Sequence, residues 1–267
     1  SMRSLVDYFD QAAARQKRVS PLGEVDEAIF ANSNYFPALE DLATNLRSEI
    51  AGKNRLEEDA IASALEKRFG VTCHIRAANA PRQERSNDPT KLVFEATAPQ
   101  STRIFHMLRR YAVLAGSEIL KATSETLDLT SDEAGTLAHR ALSSYVAGAA
   151  MMPYRDIHTM AEELRYDIEL MGELLGASFE QVAHRLVTLR RKGEEGVPFG
   201  FLRADRSGRL TKRFPLPGLS MPGVGHGCLL WPLYTAFSEH RVMRQISVFP
   251  GGGRFLLIAR ATSKHVT

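Results

Sequence analysis

The chain holds only two cysteines, Cys73 and Cys228, far apart and without a Cys-x-x-Cys spacing at either. That argues against a disulfide framework and suits the reducing cytoplasm. Two thiols fall short of the four thiolates of an iron–sulfur cluster, so this chain could hold one only with ligands from elsewhere. No apolar run approaches the roughly 20 residues of a membrane span, and no signal peptide opens the chain. Neither sign of charge dominates: the net charge is +3, far from the bias of a dedicated nucleic-acid binder. No Ser/His/Asp triad and no carboxylate pair follows from spacing. Gly251-Gly252-Gly253 precedes Arg254-Phe255-Leu256-Leu257-Ile258, which alternates like a strand, so it is a hairpin turn and no phosphate loop.

What remains is 267 residues, 44% hydrophobic, enough for one large or two modest domains. Residues 4–52 read as helical, interrupted where Pro37 biases Phe36 away from helix. Leu56, Ile61, Leu65 and Phe69 share a helical phase that Gly70 ends. Two short strands follow, Val71–Ile75 and Lys91–Ala96, around a polar loop. One helix is expected from Pro99 to about Leu120. A second starts at a capping box over Thr130–Glu133 and stops at Pro153. A third carries Ile157 to Leu175, with Glu162, Glu163, Glu169 and Glu173 on its wet face, and Ser178 caps a fourth. From Gly193 the pattern turns to hairpins, Val197–Phe214 and Gln245–Ala261.

His106-Met107-Leu108-Arg109-Arg110 and Ser144-Tyr145-Val146-Ala147-Gly148 through Met152-Pro153 resemble the two site helices of the ImmA/IrrE peptidase-like domain. A working zinc site needs two imidazoles one turn apart and an adjacent carboxylate base. Here Met107 takes the base position, Arg110 the second ligand position, and Arg140 falls near the third. Cations repel a metal, so no zinc and no hydrolysis are expected. Two alternatives stay open. One is a residual metal-dependent hydrolase of this type. The other is a DNA-binding or dimerisation module in which Ser178–Lys192 acts as a recognition helix, with Arg185, Arg190, Arg191 and Lys192 as basic decoration. Cys228 beside His226 and Trp231 reads as packing or as a single cluster ligand.

Longer stretches resemble one family. They are Asn34-Tyr35-Phe36-Pro37, Arg165-Tyr166-Asp167-Ile168-Glu169-Leu170, Ser178 through Leu186, Gly196-Val197-Pro198-Phe199-Gly200-Phe201-Leu202-Arg203 and Cys228-Leu229-Leu230-Trp231-Pro232. With the Ser144–Pro153 run they are similar to the C-terminal region of the short-chain fatty acyl transcriptional regulators, closest to the actinobacterial propionate (methylcitrate-cycle) branch. The sequence departs at Ser144 and Val146, where the family commonly has Asn and Phe.

The resemblance implies an α+β fold in three parts. These are an N-terminal helical segment (1–53), a degenerate peptidase-type domain (54–192) and a C-terminal antiparallel β module (193–267). It implies a cytoplasmic homodimer that is not an enzyme and binds a short-chain acyl-CoA, propionyl-CoA or a close relative. DNA would be read only by a helix-turn-helix upstream of this stretch, because Ser1-Met2 looks like a cloning scar, and no membrane is involved. The phosphates of coenzyme A call for Arg and Lys, here Arg103, Arg109, Arg110, Arg165, Arg185, Arg203 and Lys212, with His106 facing the ligand. Adenine and acyl groups call for aromatic faces, here Tyr35, Phe36, Tyr145, Tyr154, Tyr166, Phe199 and Phe201.

Overall fold

A computed structural model describes residues 20–52, 56–77, 88–216, 231–239, 241–248 and 253–262. The expected helix over residues 4–19, the Cys228 segment and most of the last hairpin turn lie outside them. The fold is α+β. Its chain divides into two compact units, Tyr35–Val197 and a second that joins the chain before Tyr35 to the chain from Pro198 onward.

The helical unit is built on α6 (Asp132–Met151). Ser131 caps it, its hydroxyl accepting from the Ala134 amide at 3.1 Å, one position later than the expected Thr130. Small buried residues, Ala134, Ala138, Ala147, Ala149 and Ala150, let neighbouring helices approach closely. α2 (Pro37–Ala51) lies against one side and buries Leu39, Leu42, Ala43 and Leu46. α4 (Gln100–Ala115) packs on another side through Met107, Leu108, Tyr111 and Ala112. Each large apolar side chain so buried contributes roughly 1.5–3 kcal/mol. α3 (Glu58–Phe69) covers α4, and β1 (Thr72–Arg76) pairs with β2 (Lys91–Glu95) in parallel, in the register Cys73↔Leu92 and Ile75↔Phe94.

Two helices read as single are broken in the structure. The first splits into α4 and α5 (Ser117–Glu125) at Gly116, where a Cβ would come within 2.5 Å of Leu42 Cδ2. The second splits into α7 (Tyr154–Glu163) and α8 (Ile168–Leu175). Arg165 and Tyr166 both adopt positive φ there, and the Asp167 side chain caps α8. α8 ends at Gly176 in the left-handed conformation, and α9 (Phe179–Val187) opens with the reciprocal Ser178–Gln181 capping box that the sequence announces.

In the second unit α1 (Pro21–Ala31) is capped by Ser20 and holds Asp26 3.7 Å from Arg213. Its hairpins are β3 (Phe201–Ala204) with β4 (Leu210–Phe214), and β5 (Met243–Val248) with β6 (Arg254–Ala259), both antiparallel. The unexpected short α10 (Leu233–Glu239) comes between them. Among the described residues no helix is long and apolar enough to cross a membrane.

One ion pair crosses the helical unit. Arg185 of α9 is 2% exposed and grips Glu40 of α2 with two hydrogen bonds, 2.6 and 2.9 Å. Its Nε donates to the Met152 carbonyl at 2.8 Å and a terminal nitrogen to Thr188 Oγ1 at 2.9 Å. Tyr145 Oη donates to the same Glu40 carboxylate at 2.6 Å. Removing one partner strands the other charge in the core. Arg185→Met should cost about 3–5 kcal/mol in urea unfolding, and the double replacement Glu40→Leu/Arg185→Met clearly less. Equal losses in both would contradict this reading of the pair.

Candidate functional site

Five of the seven aromatic candidates, Tyr35, Phe36, Tyr145, Tyr154 and Tyr166, lie in the helical unit. Phe36 packs edge-on against Tyr145, 5.7 Å between centroids, and Tyr35 edge-on against Tyr154 at 5.8 Å. Tyr154 carries the Arg191 guanidinium over its ring at 4.3 Å and Arg185 at 5.6 Å. Its hydroxyl accepts from the Arg191 amide at 2.8 Å and donates to the Glu194 carbonyl at 2.9 Å. Arg191 in turn reaches Tyr35 Oη at 3.0 Å and the Glu194 carboxylate at 3.0 Å. Tyr166 Oη accepts from the Val197 amide at 2.9 Å and donates to Glu162. These tyrosines thus fix the two segments, at residues 35 and 197, where the chain leaves this unit. Phe36, Tyr145 and Tyr154 are buried and act as packing.

Several expected phosphate contacts are committed elsewhere. Arg185 is buried on Glu40, so it is neither a phosphate ligand nor a DNA-reading residue. α9 ends at Val187, which leaves Arg190, Arg191 and Lys192 beyond the helix that would have presented them to a groove. The recognition-helix alternative therefore loses its basic face. Arg103 is clamped by Glu58 at 2.6 and 2.8 Å and also donates to the Ala98 carbonyl. Arg165 is exposed on the α7–α8 turn. Phe199, Phe201, Arg203 and Lys212 belong to the other unit. There Phe201 packs on Phe214 at 6.2 Å, Arg203 donates to Thr211 Oγ1 at 2.9 Å, and Lys212 is Arg203's partner in the β3–β4 register.

A different picture holds on the face of α4 that carries His106 and Arg109, one helical turn apart. Both are half-buried. Burial holds the His106 imidazole below its ordinary range, and the charges of Arg109 and Arg140 push it further down. Arg109 itself is lowered by burial and by Arg140, which α6 presents. Arg110 donates to the Pro89 carbonyl at 2.6 Å, while its Nε is buried without a partner.

These side chains do not fit a zinc ion. Met107, at the base position, is 2% exposed in the core, and guanidinium groups stand at Arg110 and Arg140. Among the described residues, no group of three His, Cys, Asp or Glu side chains is placed to hold a metal. Cys73 is free and half-buried. Burial first, then Glu58 and Glu66, push its thiol up to about 11, the opposite of a nucleophile or ligand.

Sequence reading found His106, Arg109 and the substitution at Arg140, but missed what neutralises the other cations. Glu40 lies 145 residues from Arg185 and Glu58 lies 45 from Arg103, separations that carry no local signal. The one available hint was a carboxylate inside the apolar stripe of α2, between Leu39 and Leu42.

The depressed His106 gives a test with a definite sign. A base whose folded pKa lies below its unfolded value takes up more protons when unfolded, so its contribution destabilises the fold as pH drops below about 6.5. An NMR titration should find His106 neutral where a free histidine is half-charged, and Arg140→Gln should move its midpoint upward. A midpoint unmoved by that substitution would contradict the cluster.

Comparison with known proteins divides the chain at 187/188, ten residues before the end of the helical unit at Val197. Residues 67–187 match the IrrE N-terminal-like domain, and residues 188–267 match the short-chain fatty acyl coenzyme A regulator C-terminal domain. The chain is 35% identical over 260 residues to the propionyl-CoA carboxylase regulator of Cereibacter sphaeroides, covering 96% of this chain and 55% of that protein. It is 31% identical over 266 residues to the HTH-type transcriptional regulator PrpR of Mycobacterium tuberculosis, covering 97% and 55%. A solved structure, a Mycobacterium tuberculosis transcriptional regulator, aligns with a TM-score of 0.83 at 31% identity over 92% of this chain and 77% of that one. The chain thus spans about half the length of the curated relatives it matches. It belongs to the short-chain fatty acyl coenzyme A regulator family of transcriptional regulators.

Proposed function

We propose that this chain is the effector-sensing part of a bacterial transcriptional regulator and that its effector is a short-chain acyl-CoA, propionyl-CoA or a close relative. The observation that carries the reading is the match of residues 188–267 to the short-chain fatty acyl coenzyme A regulator model. A relative whose name ties it to propionyl-CoA carboxylase supports the choice of acyl group. The protein acts in the cytoplasm on genes of short-chain fatty acid catabolism and catalyses nothing. DNA is read by another part of the regulator, since α9 and its flank spend Arg185 and Arg191 inside the fold. The regulator works as a homodimer, the form that suits palindromic sites.

Such a sensor must separate acyl lengths by a closed pocket end, because each buried methylene contributes only about 0.8 kcal/mol. A thermal-melt titration with free CoA, acetyl-CoA, propionyl-CoA and a long-chain acyl-CoA tests the reading. At a concentration about 100-fold above Kd, binding stabilises the native state by about 2.7 kcal/mol, a shift of several degrees. The expected result is a rise graded by acyl length and largest for a short chain. A flat response to all four compounds would sink the proposal.

A further inference from the structure

The β5–β6 hairpin is apolar on both faces, whereas an antiparallel ribbon with one side in water alternates apolar and polar residues. One face, with Gln245, Ser247, Phe255 and Leu257, is half-buried, and Gln245 donates to Ser247 Oγ there at 2.8 Å. The opposite face holds Arg244, Ile246, Val248, Arg254, Leu256 and Ile258, all exposed. Ile246 is 73% exposed, Val248 66%, Leu256 61% and Ile258 39%. Among the described residues this sheet has two strands, and so narrow a ribbon is marginal until a face is buried. Four side chains exposed to this degree present roughly 400 Å² of apolar surface, within the ~300–600 Å² of the largest and often functional patch on a typical monomer.

The register shows what fits the face. Across the strands Arg244 stands opposite Ile258, Ile246 opposite Leu256 and Val248 opposite Arg254. The two arginines thus occupy diagonal corners of an apolar field, and a half-turn about its centre exchanges them. A second copy laid on this face about a two-fold axis parallel to the strands sets Arg244 against the partner's Ile258 and Arg254 against the partner's Val248. Ile246 then meets the partner's Leu256, and no arginine meets an arginine. Each guanidinium can reach water at the rim while its stem covers a branched side chain. Two aligned sheets pack face to face in this way, with the same patch used twice. The four apolar residues of each copy would bury about 800 Å² together, and the arginine stems bring the contact toward the ~1,200 Å² at which stable interfaces begin. DNA calls for a row of cations, which this face lacks.

We propose that the exposed face of β5–β6 is a homodimer interface, filled by the same face of a second copy. The inference rests on the homodimer in the proposed function and gives it a surface. It is independent of the effector.

Sedimentation of the 267-residue chain over about 1–100 μM, where modest interfaces dissociate, tests this. The variants are Ile246→Lys and the double replacement Ile246→Thr/Leu256→Thr. Threonine favours strands, so the double variant keeps the test valid should the lysine disturb the hairpin. Leu174→Lys is the control, since Leu174 is 57% exposed on α8, outside the hairpin. The parent protein is expected to dimerise, both hairpin variants to raise the dimer Kd by about tenfold or more, and the control to leave it unchanged. A dimer that both hairpin variants leave intact overturns the interface while the homodimer stands. A monomer at every concentration overturns both and hands the face to another occupant, such as the DNA-reading part of the regulator.

Discussion

The buried pair of Glu40 and Arg185 is the constraint on which the helical unit depends. It joins α2 to α9, and through Tyr145 and the Met152 carbonyl it ties both to the end of α6. Every guanidinium nitrogen of Arg185 has an acceptor, and the Glu40 carboxylate takes three hydrogen bonds. Full satisfaction is what makes such a pair tolerable in an apolar core, where a half-paired charge costs several kcal/mol. An apolar replacement could match it in stability, but not in direction. The fork of Arg185 accepts one approach of α2 and one position of the α6 terminus. The same commitment decides a functional question, because a guanidinium locked in the interior contacts neither DNA nor a soluble ligand.

The acids that pair with arginines mark residues that hold the helical unit together. Arg103, Arg185 and Arg191 hold the unit together, each through an acid on a distant or neighbouring segment. Arg191 with Tyr35, Tyr154 and Tyr166 secures both places where the chain passes out of the helical unit. Strain accompanies these places, with positive φ at Ser33 and Asn34 before one and at Arg165 and Tyr166 close to the other. Asn34 is also buried with Oδ1 unpartnered. His106, Arg109 and Arg140 are the contrast. Burial and neighbouring cations hold His106 and Arg109 below their ordinary ranges, and the guanidinium groups of Arg110 and Arg140 stand where a peptidase-type scaffold would hold a metal.

Sequence showed much of the fold because much of it is set locally. The Ser178–Gln181 capping box, the Gly70 and Gly176 stops and the two hairpins each need only a few neighbouring residues, and all are found. The breaks at Gly116 and at Arg165-Tyr166 were hidden for the opposite reason. Apolar periodicity runs through both, and only the approach of Leu42 or the capping by Asp167 shows that the helix ends. Charge pairing was the least legible part. Arg185 looked like basic decoration on a helix-turn-helix because its partner lies on α2. By contrast, Arg140 could be recognised as out of place from the metal-site pattern alone.

The central claim is that this chain receives a short-chain acyl-CoA and no metal. A crystal structure of the chain with propionyl-CoA tests it most directly. The expected result is one propionyl-CoA bound per chain, with Arg185 still paired to Glu40 and taking no part in the contact. A chain that takes up no propionyl-CoA, or a metal ion held at His106, would contradict it.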